Sequence, residues 1–130
     1  GNTDDALAKF NSLVEYGGSD GAESQFMIAK IQYNLKDYSS AEQSIFSLVS
    51  EYPNYEEWKY KAFLLLVNTY IGLEDLFQAR ATAESIMENV EAEWIQNACS
   101  DLMITIEELE AAELNTETEK EDEINDEIQD

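Results

Sequence analysis

The sequence has no histidine, one cysteine and one proline, and each shortage excludes a class of structure or chemistry. Without histidine the chain lacks the commonest general base and the commonest transition-metal ligand. The single cysteine, Cys99, excludes an internal disulfide, and its apolar helical surroundings predict a small core residue. Proline occurs only at Pro53, so helices are expected to run with few interruptions.

Basic residues and long apolar runs are also scarce. Seven lysines and arginines stand against 29 acidic residues, which gives a net charge of −22. Such a surface repels nucleic acid and anionic lipid, so neither is an expected partner. One interpretation is that the charge only keeps the protein soluble. The other is that it favours protein partners with basic residues. The longest wholly apolar run, Ala62–Val67, is far too short to span a bilayer, so we expect no direct membrane insertion.

One pattern occurs three times along the chain. The copies are Ala6-x-x-x-Phe10-x-Ser12-Leu13-Val14, Ala41-x-x-x-Ile45-x-Ser47-Leu48-Val49 and Ala79-x-x-x-Ala83-x-Ser85-Ile86-Met87. The spacing from Ala6 to Ala41 is 35 residues, and that from Ala41 to Ala79 is 38. Self-similarity at such a period is typical of a helical repeat array. Within each copy the apolar residues stand at offsets 0, 4, 7 and 8, which is one face of an α-helix.

No motif for catalysis or cofactor binding accompanies the repeats. The run Gly17–Gly21 follows a predicted helix and lacks a lysine, so it does not match a phosphate-binding loop. The repeated serines, Ser12, Ser47 and Ser85, recur at one place in each copy, which indicates packing or capping rather than a nucleophile. The acidic C-terminal stretch lacks the glycine and alternating ligands of a calcium loop. We therefore predict no enzyme, and no catalytic, cofactor-binding or metal-binding residues.

Periodicity and capping signals predict an all-α fold of six helices without strands. The expected helices span residues 3–16, 21–35, 38–51, 55–72, 76–89 and 91–112. Asp37 and Asp75 are predicted to cap the third and fifth helices, and Ser39 with Glu42 offers an alternative cap for the third, one turn later. Capping-box spacing, at Asp20–Glu23 and Asn54–Glu57, predicts the starts of the second and fourth.

These helices divide the chain into a repeat domain and a tail. The domain, 1–112, comprises a half repeat at 3–18, repeats at 20–53 and 54–90, and a capping helix at 91–112. The first helix has no partner before it and the chain starts with Gly1, which predicts a fragment of a longer protein. We then expect an apolar strip with Phe10 or Leu13, either exposed or buried in a homodimer contact. The acidic tail, 113–130, predicts disorder by its charge, with a helical extension as the alternative.

The helix pairs and their period resemble the tetratricopeptide repeat (TPR) family over about residues 3–110. That family has a small residue and a tyrosine on helix A, Gly-Asp-Tyr before helix B, then alanine, an aromatic or aliphatic residue, and proline after helix B. The first full repeat matches this pattern at Ala29, Tyr33, Asp37, Tyr38, Ala41, Ile45, Leu48 and Pro53. The second matches at Val67, Tyr70, Asp75, Ala79, Ala83 and Ile86. The sequence departs from it in lacking a proline after the third motif, and at Lys36, Glu74, Gln25 and Gln32.

The resemblance implies antiparallel helix pairs stacked as a right-handed α-α superhelix, an α-solenoid. It also implies a non-enzymatic interaction scaffold, whose concave groove of helix A residues binds a peptide or helical segment of a partner protein. Carried over by register, the groove residues are Glu23, Phe26, Lys30, Tyr33, Lys61, Leu64, Asn68 and Ile71. A plainer interpretation makes Phe26, Leu64 and Ile71 core residues between helices. The alternative function is a structural spacer or self-association segment of a longer repeat protein, with a homodimer formed through exposed repeat ends.

The segment Ala41–Pro53, which ends Ser-Leu-Val-Ser-Glu-Tyr-Pro, is similar to bacterial envelope TPR proteins. Outer-membrane assembly lipoproteins and Tol-Pal coordinators are examples of that subtype. The similarity implies that the chain is part of a larger bacterial envelope protein. It favours the periplasm or cell envelope over the cytoplasm.

Overall fold

The computed structural model describes residues 2–129, and over this range it contains six α-helices and no strand. The helices are α1 (Asn2–Val14), α2 (Gly18–Asn34), α3 (Tyr38–Glu51), α4 (Glu56–Gly72), α5 (Leu76–Asn89) and α6 (Glu93–Gln129). The all-α class and the number of helices are thereby confirmed. The two ends of the predicted division, Gly1 and Asp130, lie outside the described residues.

Each helix contacts the next along the chain, and the even-numbered helices also contact one another, α2 with α4 and α4 with α6. The odd-numbered helices contact only their neighbours in sequence, among the residues described. Since the connecting loops are three or four residues long, consecutive helices that pack together run antiparallel. We call α2, α4 and α6 the inner row, on which α1, α3 and α5 pack.

Two aspartates cap helices as predicted. The backbone N–H of Ser40 donates to Oδ1 of Asp37 at 3.3 Å, at the start of α3. The N–H of Gln78 donates to Oδ1 of Asp75 at 3.1 Å, at the start of α5. Each carboxylate satisfies one of the backbone donors that a helix N-terminus leaves without an intrahelical acceptor.

The two predicted capping boxes are wrong. Helix α2 begins at Gly18, because Gly17 has φ 70° and lets the chain turn directly out of α1. Asp20 consequently lies in the first turn of α2, where its charge favours the helix dipole without capping it. Helix α4 begins after Tyr55, and no side chain caps it either.

Lys36 and Glu74, which replace the usual turn glycine, adopt the backbone that glycine would have. Their φ angles are 63° and 60°. In the first turn the N–H of Lys36 donates to the carbonyl of Tyr33, and that of Asp37 donates to Gln32. The turn after α4 repeats both bonds at the corresponding positions. Both turns are Schellman motifs, with a non-glycine residue held in the left-handed region.

The apolar residues form two core clusters that meet at α4. The first lies among α2, α3 and α4 and consists of Ala29, Ile45, Leu48, Ala62, Leu65 and Leu66. The second lies among α4, α5 and α6 and consists of Val67, Ala79, Ala83, Ile86, Val90, Ile95, Cys99 and Ile106. Cys99 is fully buried, as predicted, and that burial raises the pKa of its thiol. Helix α1 has no buried residue, and Phe10 and Leu13 are half-buried.

Two tyrosines pack where glycine leaves room for a ring. A Cβ at Gly21 would lie 2.6 Å from the hydroxyl of Tyr52, and one at Gly72 would overlap the ring of Tyr38. The Tyr52 hydroxyl also donates to the carbonyl of Val14 at 3.3 Å. Each tyrosine therefore fixes the position of a neighbouring helix by close approach.

The acidic tail is helical up to Gln129, where the described residues end, so the expected disorder is not observed. Between residues 113 and 129 there is no glycine or proline to stop a helix that begins at Glu93. The side chains from 113 to 127 are all exposed, so nothing is packed over this part of α6. The predicted end at 112 is therefore not a helix end. Within the described residues, none of the helices combines the length and apolarity that crossing a membrane requires.

Candidate functional site on the inner row

The structure places all eight predicted groove residues on the inner row, four on α2 and four on α4. Glu23 and Lys30 are exposed, and the half-buried ones are Phe26, Tyr33, Lys61, Leu64, Asn68 and Ile71. Phe26 packs against the first core cluster, and Leu64 and Ile71 pack against the second. These three residues therefore contact the core on one side and keep exposed surface on the other. They are neither fully buried core residues nor fully exposed groove residues.

Phe26 and Lys61 both contact Trp58, which was not among the predicted groove residues. The ring centroid of Phe26 on α2 lies 5.8 Å from that of Trp58 on α4. Nζ of Lys61 lies 4.5 Å from the Trp58 ring centroid and donates to Oε1 of Glu57 at 2.9 Å. Such tilted ring pairs and cation–π contacts are favourable at partly exposed positions. The lysine thus lies flat over an aromatic surface.

Trp94 extends this surface to α6. Its side chain is 46% exposed, and with Lys61, Tyr60 and Glu57 it lines a shallow depression of about 490 Å³. The surface formed by Phe26, Trp58, Lys61 and Trp94 is called the aromatic strip below. It crosses all three helices of the inner row.

Trp94 was missed because the last helix was interpreted as a cap and not as a third helix A. The spacing of the buried residues on α6 would have identified it as a third helix A. Ile95 and Cys99 on α6 are buried four residues apart, as Ala62 and Leu66 are on α4. In this alignment Trp94, which precedes Ile95, corresponds to Lys61.

The other predicted residues are arranged separately from the strip. Nζ of Lys30 lies 5.6 Å from the ring centroid of Tyr33, whose ring in turn lies 5.6 Å from that of Tyr38. Nδ2 of Asn68 donates to the carbonyl of Leu64 within α4 at 3.2 Å. Both predicted lysines therefore contact an aromatic ring, and the Asn68 amide is bonded to its own helix.

Two tyrosine hydroxyls near the inner row have a raised pKa. Burial, followed by a hydrogen bond to Glu42, raises the pKa of Tyr70. Burial also raises the pKa of Tyr52, with a smaller contribution from the charge of Glu51. Both hydroxyls already have a hydrogen-bond partner, Glu42 for Tyr70 and the carbonyl of Val14 for Tyr52. Across residues 2–129, no cluster of three or more acidic, cysteine or histidine side chains has the arrangement of a metal site.

Comparisons of the chain with protein-family models, with curated proteins and with solved structures give no match. The resemblance to TPR proteins therefore stays a prediction from the residue pattern.

Proposed function

We propose that this chain is a non-enzymatic, TPR-like interaction module whose inner row binds a peptide or helical segment of a partner protein. The observation that carries the proposal is the aromatic strip. Phe26 contacts Trp58, Lys61 lies over the Trp58 ring, and Trp94 lines the same open depression as Lys61, so side chains from three helices contribute to one solvent-accessible surface. Tryptophan is enriched among the residues that dominate binding energy at protein interfaces, so a surface of this composition suits a protein ligand.

The helix contacts support the stacked arrangement. Each of α2 and α4 packs on both of its neighbours in sequence and on the next even-numbered helix. A regular offset between successive pairs generates a superhelix, and we propose the right-handed α-solenoid that TPR resemblance implies. The inner row would then line the concave side. As part of the same proposal, the module belongs to a larger bacterial envelope protein.

The surface of α6 supports its role as the end of the array. On α4 the side that faces α5 and α6 is apolar, at Phe63, Leu64 and Val67. The corresponding positions of α6, in the alignment of Ile95 with Ala62, are Gln96, Asn97 and Ser100. This part of α6 is therefore more polar than the matching part of α4, although Ile104, which aligns with Ile71, is 56% exposed. A charge of −22 opposes self-association.

The proposal is tested first by finding a ligand and then by comparing aromatic substitutions. The parent protein is used for affinity capture, and captured segments are titrated as synthetic peptides. Both tryptophans of the chain, Trp58 and Trp94, lie on the strip, so their intrinsic fluorescence reports directly on its occupancy. Sedimentation over a range of concentrations tests the spacer or self-association alternative.

The decisive comparison uses exposed aromatic residues outside the inner row as controls. Phe26→Ala and Trp94→Ala should each raise the dissociation constant about tenfold or more. Phe46→Ala on α3 and Phe77→Ala on α5 remove aromatic residues that are 49% and 79% exposed, and should leave affinity unchanged. Equal losses in all four variants, or losses in the controls alone, would show that the strip is not the binding site.

A further inference from the structure

A second concave surface lies where α6 runs past the turn between α4 and α5. It has a volume of about 630 Å³. We call this surface the corner groove. Its apolar floor is formed by Ile71, Leu76, Leu109 and Ala112. None of the aromatic strip residues lines it, so the two surfaces are separable by substitution.

The corner groove exists because α6 is longer than the helices beside it. Ile106 is fully buried, whereas Leu109, three residues further on, is already 38% exposed. At the residue after Leu109, Nε of Arg80 donates to Oε2 of Glu110 at 3.1 Å, and a second guanidinium N–H donates to Oε1. A bidentate pair fixes the direction of approach as well as the distance. The pair therefore fixes the position of α6 against α5 at the start of the groove.

The shape of the groove fits a helix. Its α6 positions are 109, 112, 113, 116, 117 and 120, which stand at offsets 0, 3, 4, 7, 8 and 11 and so recur every three or four residues. Such steps describe one stripe of a helix surface, which over this range is about 16 Å long, or three turns. The stripe is apolar at Leu109 and Ala112 and polar from Glu113 to Lys120, and with Ile71 and Leu76 on the opposite wall it suits an amphipathic helix laid along it.

The charge of the groove selects among amphipathic helices. Carboxylates of Glu74, Glu113 and Glu117 surround the apolar floor, and Lys120 is the one base lining it. A cationic helix would complement this rim, while an acidic one would be repelled. A second copy of this chain carries −22 itself and is disfavoured for the same reason. We propose that the corner groove binds a lysine- or arginine-rich amphipathic helix of another protein.

The turn residue Glu74 provides a matched pair of substitutions. Glu74 and Lys36 both hold a left-handed backbone at equivalent turns, with φ of 60° and 63°. Glycine at either position relieves the same strain. Only Glu74 lines the corner groove, so Glu74→Gly also removes a rim carboxylate. Lys36→Gly controls for the backbone change alone, because it changes the net charge in the opposite direction.

The probe is a fluorescently labelled leucine–lysine peptide of about four helical turns, with a leucine–glutamate peptide of the same pattern as its control. Binding to the full chain is followed by anisotropy at fixed salt. Glu113→Gln with Glu117→Gln is compared with Glu119→Gln with Glu123→Gln, which makes the same charge change on α6 outside the groove. Leu109→Ser is compared with Leu114→Ser, since Leu114 is 64% exposed and does not line the groove.

We expect the rim pair, Leu109→Ser and Glu74→Gly each to raise the dissociation constant of the lysine peptide at least about threefold. The matched controls, and Trp94→Ala in the aromatic strip, should change it by less than about twofold. Equal weakening by the rim pair and its control would show general attraction to an acidic chain and overturn the proposal. Loss in Trp94→Ala alone would place the peptide on the strip. A dimer formed through the groove without peptide would also contradict the inference.

Discussion

The guanidinium of Arg80 on α5 holds the carboxylate of Glu110 on α6 by two hydrogen bonds, just beyond the last residue of α6 that packs in the core cluster. Arg80 also donates to Glu84 at 3.3 Å and lies 3.9 Å from Glu107. Its charge is thus shared among three carboxylates of two helices. The pair joins α5 to the point from which α6 continues alone.

The first prediction concerns the pH dependence of the Arg80–Glu110 ion pair. The hydrogen bonds from Arg80 lower the pKa of Glu110. Because that pKa is lower in the folded than in the unfolded chain, the contact stabilises the fold above the ordinary glutamate range. The contribution is lost as the pH falls through the lowered value. Hydrogen exchange of the amides around residue 110 should therefore accelerate at acid pH, after correction for intrinsic rates.

Two variants decide whether Glu110 is responsible. Glu110→Gln should speed this exchange at neutral pH and flatten its acid dependence. Glu108→Gln, an exposed neighbour on α6, should retain the dependence of the unmodified chain. Identical pH profiles for the two variants would contradict the assignment.

The second prediction concerns the distal part of α6. Acidic residues repeat at steps of four there, for example at Glu119, Glu123 and Glu127, and α6 has no basic residue in its last turn. Like charges at this spacing oppose a helix, and so does negative charge at its C-terminal end. Added salt screens both effects, so helical circular dichroism at 222 nm should rise with ionic strength.

The salt response has its own control. In the double variant Glu119→Gln with Glu123→Gln the helix should be stronger at low salt and respond less to added salt. A signal at 222 nm that is independent of salt in both proteins would mean that repulsion does not limit α6.

The third prediction is that glycine stabilises the two left-handed turns. A non-glycine residue in this region costs about 1–2 kcal/mol, whereas glycine adds unfolded-state entropy worth about 0.4–1 kcal/mol. Lys36→Gly and Glu74→Gly should each raise the free energy of unfolding by roughly 0.5 kcal/mol. The turns belong to different helix pairs, so the two gains should add in the double variant. Urea unfolding measures both, and a lower stability in either single variant would refute the strain argument.

The fourth prediction concerns Gly72 and Tyr38. Alanine at Gly72 would gain helix propensity of about 0.5–1 kcal/mol but force the Tyr38 ring out of its place, at about 1–3 kcal/mol. Gly72→Ala should therefore destabilise the chain. In a Tyr38→Ala background the obstacle is gone, and Gly72→Ala should become stabilising. Thermal unfolding of the four proteins gives this cycle, and the same sign in both backgrounds would exclude the steric explanation.

Local signals predicted more of this structure than distant ones did. Asp37 and Asp75 were identified as caps because each directly precedes its helix, whereas the equally local spacings Asp20–Glu23 and Asn54–Glu57 did not mark helix starts. The start of α2 was missed because it depends on the φ of Gly17, which composition does not reveal. The tail was expected to be disordered on its charge, although it contains no residue that stops a helix.

The candidate site shows the same division. Phe26 and Lys61 were identified by register within a repeat. Trp58 and Trp94 were not, because Trp58 lies before the aligned groove positions of its repeat and Trp94 lies on a helix without a complete repeat. The corner groove could not be predicted at all, since it depends on how far α6 continues past the turn after Gly72.

Helix α4 supplies residues to both core clusters, and this affects how the chain unfolds. Ala62, Leu65 and Leu66 face one cluster, while Val67 belongs to the other. Loss of either cluster would uncover one side of α4 and weaken the other, so the two halves cannot melt independently. We expect α2 to α5, together with the part of α6 up to Ile106, to exchange their amides as one cooperative unit. Helix α1, which buries no residue, should open well before that unit does.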